Sequence, residues 1–287
     1  MGQLVLFESE AKPAKLDAYL ACALTGLDKE KRQLMFHLSE IVADICAQYD
    51  ISLYEPRKKT DPVHHKEVSD AEVFKTDRDR VLGSDLLIHL SHYPSTGSGQ
   101  ELDFAYNALL PIIIISHDEN YVSRMITGIP SFTIHLKYVE PEDLRKGLHD
   151  CLSRIRSVLV ERKLAFSKYN SNFVGQRIKE KRETLNLSRE IIANSIPGMT
   201  EEVLKQLEEN DDRTANPSLI QLRQLAVVLK TTVADLVEDN IEDRVVGTLN
   251  DWIEGKAAAR FEGLSSKDSR KIIRRILLRL IDSLEED

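Results

Sequence analysis

The sequence predicts an α/β fold on a parallel sheet over its first half and an all-helical second half. Three observations carry this. Short apolar runs alternate with helix-periodic stretches up to about residue 140. Those runs are uniformly apolar, Pro111-Ile112-Ile113-Ile114-Ile115 most clearly, as strands buried on both faces are. After Asn170 strand patterns cease and dense helical periodicity with many charges takes over.

The elements follow in order. Ala18-Tyr19-Leu20-Ala21-Cys22-Ala23 is the first strand, closed by Thr25-Gly26. A helix then sets Leu34, Leu38, Ile41, Val42 and Ile45 on one face. Ile51 to Tyr54 is the second strand, ended by Pro56. The basic, histidine-bearing stretch from Arg57 to His65 has no period and reads as a solvated loop. A helix from Asp70 to Gly83 leads to the third strand, Asp85 to Leu90. The small-residue loop Pro94-Ser95-Thr96-Gly97-Ser98-Gly99 opens a helix running through Leu109. The Ile112–Ile115 strand, a helix near Tyr121 and a strand at Phe132 to Leu136 complete a Rossmann-like set.

A long helix from about Pro141 to Ala165 leads out of this domain. Phe173 opens the next helix, closed at Leu185-Asn186. Ser188, Thr200 and Ser218 are placed to cap its successors, Pro197-Gly198 makes a turn, and Val233 to Val237 is a last short helix. The expected division is an α/β domain over 1–140, a linking helix over 141–170, a helical domain over 171–240 and a helical tail over 241–287. In the tail, Ile272, Ile273, Ile276, Leu277, Leu280, Ile281 and Leu284 form an apolar stripe suited to packing or to a homodimer.

Composition narrows the function classes. A net charge of -8 argues against indiscriminate coating of nucleic acid. No apolar run approaches the ~20 residues of a membrane span. The N-terminus lacks the basic-then-apolar layout of a signal peptide. Three cysteines, Cys22, Cys46 and Cys151, match no metal spacing. A cytoplasmic protein without metal or cofactor is expected.

The loop ending the third strand is where chemistry is expected. Gly97 and Gly99 allow close backbone approach and positive φ. Free N–H groups at a helix start attract anions, and Ser95 and Ser98 add hydroxyls. Glu101 is then a carboxylate delivered beside a bound ligand, as a nucleophile at a sugar carbon or as an electrostatic stabiliser.

The strand Tyr19-Leu20-Ala21, the acid Asp77, Ser84-Asp85 and the stretch Pro94 to Leu102 together resemble the nucleoside 2-deoxyribosyltransferase superfamily, its 2′-deoxynucleoside 5′-phosphate N-hydrolases in particular. The resemblance spans roughly residues 16 to 117. It implies that Glu101 attacks or stabilises the anomeric carbon and that Asp77 handles the proton of the leaving base or of water. Tyr19 would orient the glutamate, and Ser95, Gly97, Ser98 and Gly99 would hold a phosphate. Ala23 and Thr25 stand where phosphate-binding members tend to carry serine and arginine, and Asp103 where they commonly carry glycine. A larger nucleotide such as NAD as the substrate, or a site without turnover, therefore stays open.

In the second half, Gln176 to Arg182, Leu187 to Ala193, and Pro217-Ser218 with Leu222, Leu225-Ala226 and Leu236 resemble the helix-turn-helix of Xre/Cro-type repressors. The resemblance implies a third helix, Thr200 to Gln206, in the major groove. Arg177, Lys181, Thr200, Lys205 and Gln206 are the residues it would offer to DNA. Residues 170–240 carry 12 acidic against 9 basic side chains, a poor balance for phosphates. Three functions remain: a nucleotide N-glycosidase or (deoxy)ribosyltransferase with a regulatory or targeting module; an Xre-type regulator that senses a nucleotide; and a phage-defence effector that depletes nucleotides or NAD.

Overall fold

The computed structural model describes residues 15–61 and 63–237 of the 287. The chain packs as two units, 1–231 and 232–287. Of the second, only the start and α11 (Val233–Val237) lie among the described residues. The apolar stripe expected between Ile272 and Leu284 lies outside them, as does the tail over 241–287.

The strands β1 (Leu16–Cys22), β2 (Ile51–Tyr54), β3 (Leu86–Leu90), β4 (Ile112–His117) and β5 (Thr133–Tyr138) form one sheet in the order β2-β1-β3-β4-β5. Every pairing is parallel, with Ala18 opposite Leu86 and Leu87 opposite Ile112. The helices α1 (Lys29–Gln48), α2 (Asp70–Gly83), α3 (Thr96–Asn107), α4 (Arg124–Thr127) and α5 (Pro141–Phe166) alternate with the strands. The expected α/β class is what the chain adopts.

Caps fix where the helices begin. Asp28 accepts from Lys31 N to start α1, and Ser69 with Glu72 makes a reciprocal capping box on α2. Ser95 accepts from Ser98 N to start α3. That last cap changes one expectation. Gly97 and Gly99 lie inside the first turn of α3, and neither has a positive φ. The glycines therefore serve no left-handed turn; the helix starts earlier than glycine's poor helix propensity suggests. The helix expected near Tyr121 is the four-residue α4, capped by Ser123.

Alternation along the strands divides the core in two. Leu16, Ala18, Leu20, Ile88, Ile113 and Ile115 face one side, under α1 and α5. Leu144, Leu148, Leu152, Ile155 and Leu159 line the buried face of α5, so this helix covers the sheet. Tyr19, Ala21, Leu87, Ile112 and Ile114 face the other side, with Val81 of α2 and Leu102 of α3. That second face carries the candidate site.

The helical half follows as α6 (Phe173–Thr184), α7 (Arg189–Ser195), α8 (Glu201–Glu209), α9 (Asp212–Ala215) and α10 (Leu219–Val228). Ser188, Thr200 and Ser218 cap α7, α8 and α10 through their side chains, and Gly198 takes a φ of +83° in the turn before α8. Gly175 of α6 lies so close to Leu207 O and Asn172 Oδ1 that a Cβ there would collide with both. Glu208 is buried, and its carboxylate accepts from Arg182 Nε at 2.6 Å, Arg182 Nη2 at 3.0 Å and Arg189 Nε at 2.8 Å.

Two arginines join this half to α2. Arg78 donates to the carbonyls of Thr214 at 2.8 Å and Ala215 at 3.1 Å, the end of α9. Arg213 reaches back to the carbonyl of Ser84, the C-cap of α2, and to Asp85 Oδ1 at 3.2 Å. Asp85 is wholly buried and also accepts from Asp17 N and Lys163 Nζ. Among the described residues no helix is long and apolar enough to cross a membrane.

Candidate active site

In a parallel sheet, ligands sit beyond the carboxyl ends of the strands, where successive connections leave to opposite faces. Here that point lies between β1 and β3, because β1 is flanked by β2 and β3. A cavity of about 710 Å³ opens there, bordered by Cys22, Thr60, Asp77, Ser95 and Glu101 among others.

Three elements bring the reactive groups together. Alternation along β1 turns Tyr19 toward α2 and α3, where it is wholly buried. Its hydroxyl donates to Glu101 Oε1 at 2.7 Å, and its ring stacks on Tyr54 at 5.5 Å. Glu101 stands in the second turn of α3, and its other oxygen, Oε2, is buried with no hydrogen-bond partner among the described residues. Asp77 projects from α2 and accepts from Thr60 Oγ1 at 3.2 and 3.3 Å. Glu101, Asp77 and Tyr19 thus meet.

Burial pushes the Glu101 carboxyl up to about 8; the Tyr19 hydroxyl opposes this and the charge of Asp77 adds to it. Burial also pushes Asp77 up to about 6, against the hydrogen bond from Thr60. Tyr19 is driven well above the ordinary phenol range by burial and then by Glu101, so it stays a donor. The Cys22 thiol is pushed up to about 12 by burial, which removes it as a nucleophile.

These shifts carry a stability consequence. The folded protein holds the Glu101 proton up to about pH 8, while an unfolded glutamate releases it near its ordinary value. The contribution of this site is fully present below that ordinary value and is lost as pH rises through about 8. Glu101→Gln is therefore expected to match the parent in urea denaturation at pH 4. At pH 9 it should exceed the parent by about 2–4 kcal/mol. Equal stability at both pH values would contradict the buried, uncompensated carboxyl.

The anion loop is only partly as expected. Ser95, Gly97 and Ser98 border the cavity with Glu101, while Gly99 does not. Ser95 Oγ accepts from Ser98 N at 3.3 Å and keeps its own proton to donate. Ser98 Oγ lies 3.2 Å from Ser95 O and 3.3 Å from the ring nitrogen Nε2 of His89. A Cβ on Gly99 would meet nothing within 4 Å, so no crowding demands glycine there.

Sequence reasoning missed Thr60, Tyr54 and His89. Tyr54 follows from alternation on β2, but Thr60 lies in the stretch read as solvated. Thr60 and Asp61 are instead buried, and Asp61 holds the loop through Arg32, the His64 ring at 2.6 Å and Val63 N at 3.1 Å. Such a loop has no period, so nothing in its spacing announces which residues turn inward.

The residues named for DNA are dispersed in role. The Thr200 hydroxyl is the cap of α8, and the Gln206 amide donates to Glu202 Oε1 at 3.2 Å. Arg177 lies over the Phe173 ring at 4.1 Å. Lys181 and Lys205 are exposed, and the first turn of α8 is acidic through Glu201 and Glu202.

No family model matches the chain, and no curated protein matches it. Solved structures do match. A CMP N-glycosidase of Clostridium botulinum is 17% identical, with a TM-score of 0.38 over 47% of this chain and 99% of that one. A conserved protein of Enterococcus faecalis is 20% identical, with a TM-score of 0.40 over 48% and 100%. A 2-deoxyribosyltransferase of Bacillus psychrosaccharolyticus is 21% identical, with a TM-score of 0.35 over 45% and 90%.

Proposed function

We propose that the α/β half breaks the N-glycosidic bond of a nucleotide, by hydrolysis or transfer, and that the helical half is its regulatory or targeting module. One observation carries the reading. A buried tyrosine hydroxyl fixes one oxygen of Glu101 and leaves the other unpartnered, in a residue bordering a cavity that also receives Asp77 and the start of α3.

The chemistry follows from the two carboxyls. As the bond from the anomeric carbon to the base nitrogen breaks, its electron pair leaves with the base and positive charge develops on the sugar. Near neutral pH the pair shares one proton, which rests mainly on Glu101. The reactive form is the tautomer in which that proton has passed to Asp77, so that ionised Glu101 stabilises the charge or bonds to the carbon while Tyr19 keeps the carboxylate aimed. Protonated Asp77 gives its proton to the departing base and then accepts one from water or an acceptor base. The first-turn N–H groups of α3 and the Ser95 hydroxyl receive a phosphate.

The two groups titrate as a pair with apparent values near 6 and 8. One must be ionised and the other protonated, so activity falls both as the pair gains its second proton and as it loses its last. The test is a panel of nucleosides and nucleotides, NAD included, with chromatographic detection of free base between pH 5 and 9.5. The expected result is base release with a bell-shaped kcat/KM centred near pH 7. A pH-independent rate across that range would remove the carboxyl pair from the mechanism. Tight nucleotide binding without base release would favour the sensor instead.

A further inference from the structure

A second cavity, of about 1080 Å³, lies against the other side of the loop that borders the first. The two share Pro94, Ser95, Thr96 and Ser98. Their charged groups differ. The first receives the carboxyls of Asp70, Asp77 and Glu101 beside Lys66 and His65. The second has no carboxyl side chain among its described lining residues and instead presents Arg124, His89 and His92. Hydroxyls of Ser91, Thr96, Ser123, Tyr93 and Tyr121 add to its polar lining. In a chain of net charge -8, a concavity this size without an acid is a marked local departure.

The wall shared by the two cavities points to an anion. The start of α3 forms part of the wall common to both cavities, and its first N–H groups lack intrahelical acceptors. His89 is the only polar side chain of β3, is 2% exposed, and has an Nδ1 with no hydrogen-bond partner among the described residues. The Ser98 hydroxyl gives its one proton to Ser95 O, so Nε2 donates to Ser98 Oγ and Nδ1 is left as a buried acceptor open to a ligand hydroxyl. Arg124 is exposed, and its guanidinium makes no ion pair among the described residues.

We infer that the second cavity seats an anionic arm longer than one phosphate, so that the ligand is a nucleoside di- or triphosphate. It lies across the start of α3, with its sugar at Glu101 and its outer phosphates at Arg124. The inference rests on the nucleotide reading of the first cavity and extends it. Outer phosphates in the first cavity would face three carboxyls beside Lys66 and His65; across the loop they meet a guanidinium and hydroxyls with no carboxyl among the described residues. The large second volume is then used, and the phosphate site does not depend on the arginine lacking after β1.

The experiment is isothermal titration of the full chain, without divalent cations. The ligands are deoxycytidine and adenosine, their mono-, di- and triphosphates, and inorganic tripolyphosphate. In the parent, affinity should rise about tenfold from mono- to triphosphate, as one charge-assisted contact provides. Arg124→Ala should abolish that rise while leaving nucleoside and monophosphate affinity unchanged, and Arg124→Lys should keep part of it. Arg124 is exposed on a four-residue helix, so neither variant threatens the fold. Equal affinity for mono- and triphosphate, or a rise that survives Arg124→Ala, would overturn the inference. Tripolyphosphate binding as tightly as the triphosphate would also overturn it, because the site would then recognise free polyphosphate. An Arg124-dependent rise without base release would sink the catalytic reading and keep this one. Base release from monophosphates with no such rise would do the reverse.

Discussion

Glu101→Gln is expected to slow release of free base by about 10²-fold or more while the protein keeps its fold and still binds nucleotide. The amide has nearly the shape of the carboxylate and can still accept from Tyr19, whose hydroxyl lies 2.7 Å from Oε1. What disappears is the negative charge facing the sugar as it becomes cationic. That charge acts at a half-buried residue whose Oε2 is shielded from solvent, where water screens it little. The loss should therefore fall on kcat and leave KM close to the parent value. Tyr19→Phe gives the graded comparison: it keeps the stacked ring and removes only the donor, so it should cost less than Glu101→Gln. If Glu101→Gln released base at the parental rate, Glu101 would be excluded from the reaction.

The second large effect is expected far from that cavity. Glu208→Ala should destabilise the helical half by about 3 kcal/mol at pH 7. Burial alone would raise this carboxyl, but the bonds from Arg182 and Arg189 outweigh it and hold the group below the ordinary glutamate range. Its side chain is 0% exposed, against 11% for Arg182 and 26% for Arg189. Removing it leaves two neighbouring guanidinium groups without their shared acceptor. Because the folded carboxyl is lowered, its contribution is full above the ordinary glutamate value and disappears as pH falls through the lowered one. Amide hydrogen exchange of α6 and α8 in the full chain should therefore accelerate in the variant at pH 7. The difference from the parent should shrink in acid. Unchanged exchange at pH 7 would show that the cluster contributes little.

Much of the architecture is legible because local rules and long-range packing agree. The run from Ile112 to Ile115 has no polar face, and a strand covered on both sides needs none. Ser188, Thr200 and Ser218 each accept the backbone N–H three residues on, so their helix starts are written locally. The site is legible in part for the same reason. Glu101 follows a recognisable cap at Ser95, and Asp77 lies on a helix with a capping box at its start. What escapes is set by distant neighbours. Thr60 meets Asp77 only because Asp61 is tied to Arg32, 29 residues earlier. Gly97 and Gly99 look like loop residues, yet they accept a helical backbone that their own propensity opposes. The four-residue α9 has no periodicity to reveal it, although Asp211 caps it by accepting from Thr214 N.

The grip of Arg78 on the C-terminal end of α9, and of Arg213 on the C-terminal end of α2, also limits how freely the two halves could be recombined. Arg78 is the immediate neighbour of Asp77, so the helix that brings an acid to the cavity is fastened by the very next residue to the helical half. A chain cut after α5 would leave the Asp85 carboxylate without Arg213 and the Arg78 guanidinium without its two carbonyls. Any chimera that exchanges the helical half must therefore supply an arginine and a free helix end at the same two places. The architecture behaves less like two interchangeable cassettes than like a mortise cut for one tenon.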